Sequence, residues 1–310
     1  MQDAELVIEV RDLVVEYGRG KHRARAVDGI SFTVGRGETV GFIGANGAGK
    51  TSTIKTLMGF IFPASGGVRV FGQDAGTVES RRRIGYLPEV ALYYPFMKAR
   101  ELLELYGGLH GLGPRELKAK IPPLLEKVGL KDKGEVLLRH FSKGMQQRLG
   151  IAQAIIADPE ALIFDELSSG LDPLGRHDLR QTLLELKDRG RTIFFSSHEL
   201  SEVESLCDRV IMIHKGKIVT SATIAELMKP LNIFEIVFSL PEGAAMPAAP
   251  ARFEPVRDGT LWRVTICSVE DYSRTLSDLA GAGASIRETS SRSQSLEEYF
   301  IDLVRSREGL

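Results

Sequence analysis

Apolar positions along this chain follow two spacings, and the switches between them lay out the elements. Residues 6–17 alternate apolar with polar side chains and are rich in valine, which predicts a strand, and a shorter strand follows at 30–34. An apolar run over 38–43 ends in a glycine loop, after which 51–60 take helical spacing. Strands are predicted at 68–71 and in the stretch leading up to Leu87. From 97 to 129 the pattern is helical. Leu102, Leu103 and Tyr106 lie on one helix, and Leu117, Ile121, Leu124, Leu125 and Val128 on the next. Short apolar runs at 161–164 and 192–196 then alternate with helical stretches at 175–189 and 199–206. Lys215-Gly216 turns between strands at 209–214 and 217–220. Strands alternating with helices predict an α/β fold with a largely parallel sheet.

The texture changes after residue 229. Residues 241–255 are dense in Pro and Ala with little to bury, and read as a loop or linker inside an appendage. Around it the pattern predicts strands at 233–240, 261–267 and 284–287, with helices at 271–279 and 295–304. This is a small α+β domain, so the chain divides into residues 1–229 and 230–310.

Composition narrows the function classes. With 43% hydrophobic and 26% charged residues, the 310-residue chain has ample material for a core. Lys plus Arg number 40 against 41 Asp plus Glu, so the basic excess that nucleic-acid binding normally needs is missing, and no nucleic-acid partner is expected. Cys207 and Cys267 are the only cysteines, which excludes a disulfide scaffold or a Cys-ligated metal and favours a reducing compartment. The first fifteen residues lack the pattern of a secretory leader, and no run of about 18 apolar residues occurs. No direct membrane span is expected; any membrane role comes through a partner.

The chemistry begins at Gly44-Ala45-Asn46-Gly47-Ala48-Gly49-Lys50-Thr51, which fits G-x-x-x-x-G-K-[ST] between a predicted strand and a predicted helix. Glycines let successive N–H groups converge on phosphate oxygens where a Cβ would block them, and the helix N-terminus adds partial positive charge. Lys50 offers an ammonium to the β- and γ-phosphates, and Thr51 a hydroxyl to Mg²⁺. A second run, Leu162-Ile163-Phe164-Asp165-Glu166, is a strand ending in two carboxylates. One suits Mg²⁺ and the other can polarise an attacking water. His198 follows a further strand, where a lone histidine is more often structural, with Ser197 as a helix cap. The two asparagines, Asn46 and Asn232, are not followed by Lys, so the Asn-Lys-x-Asp guanine-reading loop is absent and adenine is favoured.

With these motifs in order, residues 5–228 resemble the ATP-binding subunit of ABC transporters. Phe141-Ser142-Lys143-Gly144-Met145-Gln146-Gln147-Arg148 is similar to the family's signature loop and sits upstream of the Asp165–Glu166 strand, as the family requires. The resemblance implies a P-loop NTPase (RecA-like) core, an N-terminal antiparallel β subdomain and a helical subdomain at about 90–158. It also implies MgATP as cofactor, a second ATP-binding subunit (a homodimer) and transmembrane permease subunits. The chain would then sit in the cytoplasm, peripheral on the inner face of the membrane. By the same resemblance Tyr17 stacks on adenine, residues 44–51 and Ser52 bind phosphate, Thr51, Asp165 and Glu89 serve the metal, and Glu166 is the general base. His198, against its structural reading, becomes the switch that contacts the γ-phosphate. Ser142, Lys143, Gly144 and Met145 complete the opposite subunit's site. Ser168-Ser169-Gly170-Leu171-Asp172 communicates across the dimer.

Three departures stand out: Ser-Lys-Gly-Met where Ser-Gly-Gly-Gln is commonest, Glu89 where a glutamine is usual, and Leu167-Ser168 after the base. The first two, with the C-terminal helix after a short appended domain, resemble the ABC-2 type exporter branch. The aromatic cluster Tyr93, Tyr94 and Phe96 falls where the family receives a permease helix. The rival class is a soluble ABC ATPase acting on nucleic acid or the ribosome. It is disfavoured by the balanced charge and by the absence of a tandem ATPase domain or a long coiled-coil insertion.

Overall fold

The computed structural model describes residues 5–18, 22–168, 170–228, 230–241, 243–293 and 295–308; the candidate Ser169 lies outside them. The chain divides into two compact units, Met1–Ile224 and Ala225–Leu310. The first opens with β1 Leu6–Tyr17, β2 Ala24–Gly35, β3 Thr39–Ile43, α1 Lys50–Leu57, β4 Ser65–Val70 and β5 Gln73–Asp74. It continues through α2 Val78–Arg82, β6 Ile84–Leu87, α3 Ala99–Leu109, α4 Pro114–Lys127 and α5 Lys143–Ile155. It closes with β7 Ala161–Phe164, α6 Pro173–Asp188, β8 Thr192–Ser197, α7 Leu200–Leu206, β9 Arg209–His214 and β10 Lys217–Thr223.

Two sheets result. The long alternating β1 is the centre of an antiparallel sheet ordered β2-β1-β4-β5. The all-buried runs β3, β7 and β8 lie inside a six-stranded sheet ordered β10-β9-β3-β8-β7-β6, with β10 an antiparallel edge and the other strands parallel. Phe32 of β2 stacks on Phe194 of β8 at 5.7 Å and 8°, and on Phe42 of β3 at 5.7 Å, so the two sheets share one core. Leu102 and Leu103 of α3, with Leu117, Ile121 and Leu125 of α4, are buried, as their spacing predicts. Among the described residues no helix is long and apolar enough to cross a membrane.

The second unit is an antiparallel sheet ordered β12-β13-β11-β14, from Val256–Asp258, Leu261–Ile266, Pro230–Ser239 and Ser285–Ser293. Its core is Ile236, Phe238, Val264, Ile266 and Leu279, the last from the helix Val269–Gly281. Two expectations need correcting. The stretch 241–255 is more than a linker: it contains a short helix, Ala248–Ala251, that buries Ala249 and Pro250, while Met246 and Phe253 pack on the core. The last strand runs to Ser293 instead of stopping at residue 287. Its polar residues show no alternation, yet its backbone pairs along β11.

Candidate active site

Because β3, β8 and β7 are adjacent and parallel, their C-terminal ends face one edge of the sheet, where ligands of open α/β folds bind. The loop after β3 leads into α1, which Gly49 caps with φ +112°. A Cβ there would lie 2.6 Å from Ala26 O. Only glycine meets both the angle and the space. Lys50 is 6% exposed and folds back on its own loop: its Nζ donates to Gly44 O at 2.7 Å and Ala45 O at 3.4 Å, and lies 3.3 Å from Glu166 Oε1. The ammonium is thus held by groups that a phosphate can replace.

Asp165 follows β7 and is buried; its N–H donates to Leu87 O. Its Oδ1 accepts from Thr51 Oγ1 at 3.1 Å and Ser196 Oγ at 2.8 Å. Burial raises the Asp165 pKa. The two hydroxyls pull it down, while the charges of Glu89 and Glu166 push it further up. Buried carboxylate, threonine hydroxyl and a nearby second carboxylate form a hard-oxygen donor set that fits Mg²⁺ with water completing its shell.

Glu166 adopts φ +56°, rare for a residue with a Cβ, and its N–H donates to Ser196 Oγ at 2.8 Å. That backbone turns the side chain into the cleft, where Oε2 meets His198 Nδ1 at 2.5 Å. The cleft, about 420 Å³, is lined by Ala26, Asn46, Gly47, Gly49, Lys50, Thr51, Ser52, Glu89, Glu166 and His198. Gly44 and Ala45 supply the carbonyls that hold Lys50, Ala48 is buried under the loop, and Tyr17 donates its hydroxyl to Ser52 Oγ at 3.2 Å.

Ser142, Lys143, Gly144, Met145 and Asp172 do not line this cleft. Ser142 caps α5, accepting from Met145 N at 3.2 Å, and Asp172 caps α6, accepting from Gly175 N at 2.8 Å. The Lys143 stem lies over Gly170, so the signature segment and the segment after Glu166 touch. The sequence reading missed Ser196, which bonds both Asp165 and Glu166. Its signal was a pair of polar residues closing the apolar run Thr192–Ser197.

Residues 27–169 match the family model described as ABC transporter. The chain is 38% identical over 307 residues to an uncharacterized ABC transporter ATP-binding protein of Nostoc sp., covering 97% of this chain and 91% of that protein. It is 36% identical over 305 residues to the bacitracin transport ATP-binding protein BcrA of Bacillus licheniformis, covering 96% and 97%. A solved ATP-binding subunit of an ABC transporter is 34% identical and aligns with a TM-score of 0.65, over 71% of this chain and 91% of that one. The converging cleft and relatives matched along nearly all of their length lead to one conclusion: the chain belongs to the ATP-binding proteins of ABC transporters, a family of ATP-hydrolysing enzymes.

Proposed function

We propose that this chain dimerises around two MgATP and drives a separate membrane permease, working as an exporter. The observation that carries the reading is the division of the site. Lys50, Glu166 and His198 share one cleft, while the signature residues Ser142–Met145 cap their own helix outside it. A helix N-terminus set outside its own chain's cleft suits the γ-phosphate held by a second copy. Lys50 then leaves the Gly44 carbonyl for the β- and γ-phosphates, which frees Glu166 Oε1. Water attacks the γ-phosphorus as the bond to the ADP oxygen breaks, Glu166 takes the water's proton, and His198 holds Glu166 and faces the γ-phosphate. Tyr17, fixed by Ser52 at the start of α1, offers its ring to adenine. Thr51, Asp165 and Glu89 would hold Mg²⁺, which supplies charge neutralisation on the phosphate oxygens when bound.

The permease reading is supported by a second, apolar groove of about 650 Å³. Phe60, Val78, Leu92 and Leu109 line it and are exposed, and Tyr94 and Phe96 are exposed nearby. Arg81, Arg82 and His110 also line it, and no acidic residue does, which suits a permease helix carrying carboxylates. Docked there, the chain works at the inner face of the membrane. The export direction rests on the Lys143–Met145 signature and the appended unit, both resembling the ABC-2 type branch.

The test is Glu166→Gln in MgATP, followed by sedimentation. Twice the monomer mass with turnover abolished is expected, since ATP binding does not need the base. A variant that stays monomeric at saturating MgATP refutes the dimer, and one that turns over at the parent rate refutes the base.

A further inference from the structure

The two strand ends that carry Glu166 and His198 are tied together behind the cleft. Ser168 lies two residues after Glu166 and Ser197 one residue before His198, and both serines are buried. A single carboxyl on α7 serves both. Ser197 Oγ donates to Glu202 Oε2 at 3.3 Å, and the Ser168 hydroxyl is near enough to favour the charged form of the same carboxyl. Ser197 Oγ in turn accepts from Glu199 N at 2.9 Å, with Glu199 O, at 3.4 Å, a second acceptor for its hydrogen. Arg176 of α6 pairs with Glu199 at 2.6 Å.

The helix that carries Glu202 is itself fixed. Val203 and Leu206 are buried, and a Cβ on Gly41 of β3 would lie 2.7 Å from Val203 Cγ1, so α7 rides directly on the strand that ends in the phosphate loop. Glu202 does not line the nucleotide cleft; it faces a separate pocket of about 280 Å³ lined also by Leu167, Arg176 and Glu199. Burial pushes the Glu202 carboxyl pKa up, an arrangement that nothing in the phosphate chemistry requires.

We infer that Glu202 is a positioning residue that sets the separation of the β7 and β8 ends and so holds His198 against Glu166 for hydrolysis. The inference rests on the proposed roles of Glu166 and His198. A half-buried carboxyl that accepts from the Ser197 hydroxyl and lies near the Ser168 hydroxyl holds both segments without touching substrate, and reacting groups lose rate steeply when displaced by about 1 Å.

The test is steady-state phosphate release by the full chain, with ATP affinity measured in parallel. Glu202→Ala lowers kcat by about tenfold to a hundredfold and leaves the KM for ATP within about twofold, because nucleotide contacts are untouched. Glu202→Gln keeps an acceptor oxygen and the volume, and restores kcat to within about threefold of the parent. Adding Ser197→Ala to Glu202→Ala costs no further rate, since both break one link. Should Glu202→Ala not fold by circular dichroism, Ser168→Ala/Ser197→Ala takes its place with the same expected loss. Parental kcat in Glu202→Ala, or a double variant slower by the product of the single losses, overturns the inference. His198→Ala is the separating control. If it turns over normally, the role of His198 itself fails; if it is inactive beside an active Glu202→Ala, only the positioning role fails.

Discussion

Two glycines of the phosphate loop serve different purposes, and alanine at each separates them. At Gly44 a Cβ would lie 2.2 Å from Ile213 O, 3.0 Å from Ile213 Cγ2 and 3.1 Å from Ala48 Cβ. An unstrained carbon–oxygen approach is about 3.3 Å, so the loop and β9 must part by about 1 Å. Overpacking of this kind costs about 1–3 kcal/mol. The obstacle here is backbone in a buried sheet, which places Gly44→Ala near the top of that range. Gly47 has φ +78° with open space where its Cβ would stand. Alanine there costs only the left-handed conformation, about 1–2 kcal/mol. Gly47 lines the nucleotide cleft, however, so its new methyl stands where phosphate approaches. The two orders therefore cross: Gly44→Ala is the less stable protein, and Gly47→Ala has lost the more ATP affinity relative to its stability. The single tryptophan, Trp262, lies in the second unit. Amide exchange across β3 and β9 is the stability assay, and calorimetric titration with MgATP the binding assay. If Gly47→Ala is the less protected variant, or binds MgATP like the parent, the space argument is wrong.

Asp165→Asn raises the thermal midpoint without divalent cation, because burial opposes the charge that asparagine lacks, and it removes the Mg²⁺ dependence of ATP binding. The sign follows from linkage. With the folded pKa raised, the parent's penalty is present above that value and disappears as pH falls through it, so the variant's advantage fades in acid; an advantage that grows in acid refutes the assignment. Arg81→Glu/Arg82→Glu leaves ATP affinity unchanged but lowers permease-stimulated turnover by about tenfold, consistent with loss of rim charge complementarity. Unchanged stimulation by the permease would exclude this groove as the docking site.

Much of the chain was legible from spacing and motif alone. The run Ala161–Phe164 and the hairpin strand Arg209–His214 have the boundaries their apolar residues predict, because a buried strand is apolar throughout and ends where polarity begins. The phosphate loop was legible because its glycines and Lys50 are constrained by local backbone geometry. Strand β14 was only partly legible, since Thr289, Ser290 and Ser291 are exposed and polar, and only pairing with β11 makes them a strand. The 241–255 stretch was misread because proline and alanine bury too little area apiece to leave a pattern, although Ala249 and Pro250 are enclosed.

The sequence by itself named the residues proposed to carry the chemistry: Lys50 through the phosphate-loop motif, Asp165 and Glu166 as two carboxylates closing an apolar strand, and His198 only through the family resemblance. Only the tertiary structure decided how they meet. The order β3-β8-β7 brings residues more than a hundred positions apart to one edge, and Ser196 cross-links two of the strand ends. Strand order is chosen by long-range packing, such as Phe32 on Phe42 and Phe194, and a hydrogen bond between distant segments leaves no periodicity along the chain.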